Sequence, residues 1–257
     1  MTYVMREHPG WDAIGGAWLR AATTASGDVV LLNAAFPPHA SPRMEVFAPP
    51  PLASSVPPRL AGALKRVGPV ARWRSPSLWD AIATAIIRQV IRADQARLQH
   101  QRFRRAFGRA VDTPHGVVHA LPTPDIVADL NPADFKKIGM AFKSTPLHNA
   151  AVAYGEHGTK WADLPPGRMA EELQTVPRIG PWTAGAAVAD FTHDWSLYPY
   201  ADLAVRTWAK AAAPDVAWPD TEAEFADRWR AMAAGQLGPL TLFTLAWGAR
   251  HAGAATP

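Results

Sequence analysis

The sequence predicts a mainly α-helical protein with a small N-terminal α+β or β appendage, and three observations carry that expectation. Residues 1–68 combine short β-branched runs with many prolines, whereas from Ser75 onward helical periodicity takes over. Helix starts with capping residues and early prolines recur through that second region. Finally, Leu173–Ala184, Leu-Gln-Thr-Val-Pro-Arg-Ile-Gly-Pro-Trp-Thr-Ala, reads as helix, tight hairpin, helix. There Pro177 and Gly180 impose a short turn, and Pro181 can open a helix because the first helical position needs no amide donor.

In order along the chain, Gly16–Thr23 and Asp28–Ala35 flank Ser26-Gly27-Asp28 as the arms of a β-hairpin would, and Arg43–Phe47 offers a third strand. Prolines 37, 38, 42, 49, 50, 51, 57 and 58 break what lies between and beyond, so a linker is expected near Pro57–Pro69. The division expected is therefore 1–68 for the appendage and 69–257 for the helical region. Ser77-Leu-Trp-Asp80 suits a capping box opening a helix with Leu78, Ile82, Ala85, Ile86 and Gln89 on one face. Asp94–Phe107 follows as an arginine-rich helix, whose charges read mainly as solvated surface with some within reach of phosphates. Thr123-Pro124-Asp125 and Asn131-Pro132-Ala133-Asp134 mark two short helices, the second closed by Gly139. Further helices are expected at about Lys143–Tyr154, Arg168–Thr175, Leu203–Ala212, Thr221–Ala234 and Leu240–His251, with Asp220 capping the penultimate one.

Composition bounds the function. The chain has 257 residues, ample for a core without covalent staples, and no cysteine, which excludes disulfides and thiolate metal sites. Its net charge of +4 and pI of about 9.6 bias it mildly toward polyanions. No apolar run reaches membrane-spanning length and the N-terminus lacks a signal peptide's hydrophobic segment, so a soluble, cytoplasmic, monomeric protein is expected.

The amides of the hairpin and of the second helix's first turn lack intrahelical partners, which makes an anion site suited to a phosphate. Twenty positions after Trp182 stands Asp202, at what reads as another helix start. Taken alone, a turn of this kind is an ordinary helical corner with Asp202 as an N-cap. The full string is more specific. Val-Pro-x-Ile-Gly-Pro-Trp-Thr-Ala followed by Ala-Asp-Leu-Ala-Val-Arg resembles the helix–hairpin–helix DNA glycosylase superfamily over about Ser75–Arg250. Within it, Trp182, the spacing to Asp202 and Leu242-Phe-Thr-Leu-Ala-Trp247 are most similar to the 3-methyladenine DNA glycosylase II branch, as is Ile-Gly-Met-x-x-Lys at 138–143.

That resemblance implies two helical lobes and base-excision repair of double-stranded DNA carrying a damaged base. It implies Asp202 as the catalytic acid, Trp182 and Trp247 in the base pocket, and DNA contacts from Gln89, Val90, Ile91, Arg178, Gly180, Thr183 and Arg206. Ile86-Ile-Arg-Gln-Val-Ile91 maps the apolar wedge that fills the gap left by an extruded nucleotide to Val90, with Ile91 the neighbouring candidate; both read equally well as core. The main-chain carbonyls of Gln174, Val176 and Ile179 match those that hold a monovalent cation in relatives. The iron–sulfur cluster of some relatives is excluded by the missing cysteines, so no other cofactor is expected. Strand-nicking relatives carry a Schiff-base lysine where Trp182 stands, so lyase activity is expected to be absent. One departure matters: Arg178 replaces the first glycine of the usual hairpin. If the position needs positive φ, arginine is strained there; if not, its side chain adds a phosphate contact. Deaminated or mismatched bases, bulky adducts, and non-catalytic recognition of distorted DNA remain alternatives.

Overall fold

The computed structural model describes residues 2–35 and 43–252. Its first part holds β1 (Tyr3–Val4), β2 (Asp12–Ile14), β3 (Ala17–Thr23), β4 (Val29–Asn33), β5 (Met44–Phe47), α1 (Pro58–Val67) and β6 (Val70–Trp73). Next come α2 (Leu78–Arg88), α3 (Ala93–Phe107), β7 (Ala110–Thr113), β8 (Gly116–His119), α4 (Pro124–Asp129), α5 (Pro132–Lys137), a 3-10 turn (Ala141–Lys143) and α6 (Ser144–Ala162). The chain continues through α7 (Pro166–Leu173), α8 (Pro181–Thr192), α9 (Leu203–Ala212), α10 (Glu222–Ala233) and α11 (Leu237–Ala252). The fold is mainly helical with small β elements near the N-terminus, as expected. Among the described residues no helix is long and apolar enough to cross a membrane.

The chain forms two compact units, and the N-terminal region contributes strands to both. One unit comprises 6–43 and 74–193, and contains α2–α8. In it β3 pairs antiparallel with β2 and β4, and Leu19 and Ala21 pack on Val118 and Ala120 beside the β7–β8 hairpin. That second hairpin has no counterpart in the sequence expectation; Pro114 and Gly116, at φ +127°, supply its turn. The buried face of α2 runs from Leu78 through Ile87.

The second unit comprises 1–5, 44–73 and 194–257. Its sheet has the order β1-β6-β5, with Tyr3 opposite Val70 in parallel and Met44 opposite Trp73 antiparallel. The strand expected at 43–47 therefore forms but pairs with β6, not with the first hairpin. The linker expected near 57–69 is instead helix α1. Pro58 occupies its first turn, where proline is tolerated, and Leu60, Ala63, Leu64 and Val67 bury one helical face. Trp218, Phe225 and Trp229 cluster within this unit, with Phe225 stacked on Trp229 at 5.2 Å and Trp218 tilted against both. Pro37, Pro38 and Pro42 lie outside the described residues.

Local capping departs from expectation in two places. Ser77 accepts the Asp80 amide, but the Asp80 carboxylate turns inward to Arg20 rather than completing the box. Thr221, not Asp220, caps α10 by accepting the Glu224 amide.

Candidate active site

The unit of 6–43 and 74–193 carries the hairpin. Helix α7 ends in a run of tight turns: the amides of Gln174, Thr175 and Val176 donate to Glu171, Glu172 and Leu173 carbonyls. Val176 and Ile179 are buried anchors, and the Ile179 amide donates to the Val176 carbonyl at 3.0 Å. Between them Pro177 and Arg178 form an exposed tip. Gly180 then caps α8 in an extended conformation, and a Cβ there would meet nothing within 4 Å. The fold alone thus does not require glycine at 180; a bare backbone there leaves room for a ligand's close approach.

Arg178 has φ +76°, so the position does need the left-handed region and its arginine is strained by about 1–3 kcal/mol. Its carbonyl accepts from Gln89 Nε2 at 3.2 Å, and the same amide nitrogen bonds the Thr183 hydroxyl at the first turn of α8. Gln89 is the C-cap of α2, so the end of that helix is tied to both sides of the hairpin.

Next to Gln89, Val90 is fully exposed and has φ +58°. A β-branched residue at positive φ is a genuine outlier, and an apolar side chain wholly in water gains nothing from folding. The core reading is therefore wrong for Val90. Ile91 is half-buried and grades into the fold.

Beneath this loop lies Lys143, 1% exposed, a residue that the sequence does not mark for this role. Its Nζ donates to the Ile86 carbonyl at 2.7 Å and the Gln89 carbonyl at 2.8 Å; the first also accepts the Gln89 amide at 3.3 Å, so the lysine adds a second donor at the end of α2. Burial pulls its pKa down to about 8. The partly exposed Phe142 ring lies 4.9 Å from the ammonium.

Trp182 is half-buried, and the Arg88 guanidinium sits 5.8 Å from its ring centroid while pairing with Asp190 at 3.4 Å. The α3 arginines split. Arg92, Arg102 and Arg105 are exposed, whereas Arg97 donates to the Arg6 and Trp11 carbonyls and Arg104 holds Asp12 with two 2.9 Å bonds. Those two arginines brace the N-terminal strands instead of facing solvent.

The other unit carries the acid. Asp202 is the N-cap of α9, half-buried, with its amide donating to the Pro199 carbonyl at 2.9 Å. Its side chain makes no capping hydrogen bond, so the ordinary reason for an aspartate at this position does not apply. Arg206, one turn on, donates from Nε to the Ala201 carbonyl at 3.1 Å and lies 3.6 Å from Glu222. Its guanidinium thus braces the turn that presents Asp202. Trp247, on α11, is half-buried and stacks on His251 at 4.1 Å. Gly248 beside it is required: a Cβ would meet the Trp208 ring of α9 at 2.2 Å.

No family model and no curated protein matches this chain. Solved structures do. The 8-oxoguanine glycosylase/lyase of Clostridium acetobutylicum, in complex with double-stranded DNA containing cytosine opposite 8-oxoguanine, matches at TM-score 0.67 and 16% identity, over 96% of this chain and 89% of that one. The 3-methyladenine DNA glycosylase of Archaeoglobus fulgidus matches at 0.65 and 17%, over 94% and 90%. A DNA-3-methyladenine glycosidase from Bacillus halodurans matches at 0.54 and 16%, over 81% and 94%. The chain has the fold shared by these DNA glycosylases.

Proposed function

We propose that the protein is a monofunctional DNA glycosylase of base-excision repair. It extrudes a damaged nucleotide, an alkylated purine, from duplex DNA and hydrolyses its N-glycosidic bond. The observation that carries the reading is Val90, an exposed and strained apolar tip tied to a phosphate-type hairpin. Extrusion leaves a gap in the stack, and an apolar wedge offsets the lost stacking. The hairpin amides of Arg178, Gly180 and Thr183 hold a phosphate and orient the duplex without reading sequence. The carbonyls of Gln174, Val176 and Ile179, on the same connection, would hold a monovalent cation that adds positive charge there. Val176 already accepts one amide and keeps a second lone pair for it.

Breaking the bond develops positive charge on the sugar. Asp202 stabilises it, or orients and deprotonates the attacking water, most strongly where water is excluded. Trp182 and Trp247 each offer an indole face to the base. Trp182 cannot form a Schiff base, so the phosphate backbone is left intact. With no second acid assigned, bases that already leave easily, such as N3- or N7-alkylated purines, are the expected substrates. A second substrate reading has one observation behind it: Arg88 already lies over the Trp182 ring. A cation there favours a neutral, acceptor-rich base, as deamination produces, over a cationic one.

The test is base release from duplexes containing 7-methylguanine, 3-methyladenine, hypoxanthine or uracil. Release that vanishes in Asp202→Asn while DNA binding persists supports the proposal, and the preferred base decides between the two substrate classes. Binding with no release of any base indicates a recognition module. A covalent complex trapped by borohydride would refute the monofunctional assignment.

A further inference from the structure

Two strained residues, Val90 at φ +58° and Arg178 at φ +76°, stand exposed on separate segments of one compact unit. Backbone of this kind persists only where its surroundings over-determine it. Here two side chains do so. Gln89 reaches from the wedge loop to the Arg178 carbonyl at 3.2 Å and to the Thr183 hydroxyl. Lys143 reaches up from the fully buried side of the same loop, donating to Ile86 and Gln89 carbonyls at 2.7 and 2.8 Å. The lysine therefore fixes the backbone of the residue whose side chain fixes the hairpin. A cation at the C-terminal end of α2 also suits that helix's dipole.

We propose that Lys143 and Gln89 are positioning residues that lock the Val90 wedge to the hairpin, so that gripping the backbone and entering the stack are one rigid event. This rests on the glycosylase reading above. Neither residue is required to touch DNA for the effect. Their part is to keep the spacing between the phosphate grip and the apolar tip fixed, so that binding energy at the hairpin is delivered to the wedge instead of being lost in loop relaxation.

The test uses the full chain and a duplex holding an abasic-site analogue with 2-aminopurine as its neighbour, whose fluorescence rises when the stack opens. Wild type should bind and brighten the probe. Lys143→Met and Gln89→Ala should each slow or diminish the brightening about 10-fold or more; Lys143→Met, at a buried side chain, should change the dissociation constant less than about 3-fold, and Lys143→Arg should restore most of the brightening. Wild-type brightening in both Lys143→Met and Gln89→Ala overturns the brace. So does a parallel loss of affinity and brightening in both, which is the mark of plain structural damage. A wild type that binds the duplex without brightening, or does not bind, removes the glycosylase reading itself, a separate result from failure of the variants.

Discussion

The two compact units hold themselves together by different means. The unit with the hairpin buries many ionisable side chains: His8, Arg20, Asp80, His100, Arg104, Lys143 and Asp190 are all at most 5% exposed. The unit with the acid has Arg72 as its one comparably buried charge among the described residues, lying 4.4 Å from the Trp195 ring centroid, and is otherwise filled by aromatic and aliphatic packing. Its ion pairs include Arg59–Asp215, Lys210–Asp220 and Arg230–Asp227 at the surface, where such pairs contribute little, and Arg206–Glu222, in which only the arginine is substantially covered. Apolar contacts are non-directional, while buried hydrogen-bonded charges demand one geometry. On the function proposed above, the difference teaches that the hairpin, which would have to set backbone groups at fixed spacing, is framed by directional bonds, while Asp202 is presented by an ordinary packed frame.

The largest expected effect sharpens this contrast within the acid-bearing unit. Asp202→Asn should lower base release by about 100-fold or more, since it removes the only carboxylate assigned to the reaction. Because the Asp202 side chain does not cap α9, the variant should not show the loss of about 1 kcal/mol that removal of an N-cap brings. Single-turnover release and thermal unfolding check the two halves of this statement. A large loss of stability would mean that position 202 is structural.

In the other unit the same kind of change should cost stability. Asp80 pairs with Arg20, both at 2% exposure, and Asp80→Ala leaves the guanidinium buried without its carboxylate. The expected loss is about 3–5 kcal/mol by denaturant unfolding, whereas Asp220→Ala, at a fully exposed carboxylate, should leave the unfolding curve essentially unmoved. Equal losses would break the comparison.

Acid should expose the same difference. His8 and His100 sit edge to face 5.7 Å apart, His8 accepting the Gly10 amide and His100 bonding Thr84. Burial, then neighbouring positive charges, holds both well below the ordinary value of 6.5; these are Arg20, His100, Arg88 and Arg104 for His8, and Arg104, Arg20 and Arg97 for His100. The native state therefore binds fewer protons than the unfolded chain as pH falls through 6.5, and stability falls with it. Lowering pH from about 7.5 to 5.5 should remove about 2–3 kcal/mol through this pair. Unfolding measured across that range checks it, and His100→Gln should remove about half of the slope.

How much of this was legible in the sequence follows from which forces are local. The hairpin and the N-cap position of Asp202 could be read because Pro177, Gly180 and Pro181 act on their own backbone. The β1–β6 pairing could not, because its partners are separated by nearly the whole N-terminal region and neither strand is longer than four residues. Helix α1 was hidden by reading Pro58 as a breaker when it occupies a first turn. At the candidate site, Gln89 and Val90 stand out as residues, but Val90 lies in a largely apolar stretch that equally describes core, and only its exposure and its positive φ separate the two. Lys143 could be matched to a family segment, yet nothing in hydropathy tells a lysine that turns inward to cap a helix from one in solvent.

The smallest effect comes from the tip of the hairpin, where the grip unit departs from its own rule of satisfied geometry. Arg178 occupies a left-handed conformation with its side chain in solvent. Arg178→Gly removes the steric cost of a Cβ at φ +76° but adds backbone entropy to the unfolded chain, and the two terms nearly offset, leaving a gain of about 0.5–1 kcal/mol. If the strain is retained for a phosphate contact, the stabler variant should bind DNA more weakly. The slope of log affinity against log salt should then fall by about 0.9, the signature of one lost phosphate contact. An unchanged slope would leave the arginine's strain without a compensating contact and assign the whole grip to the hairpin's backbone amides.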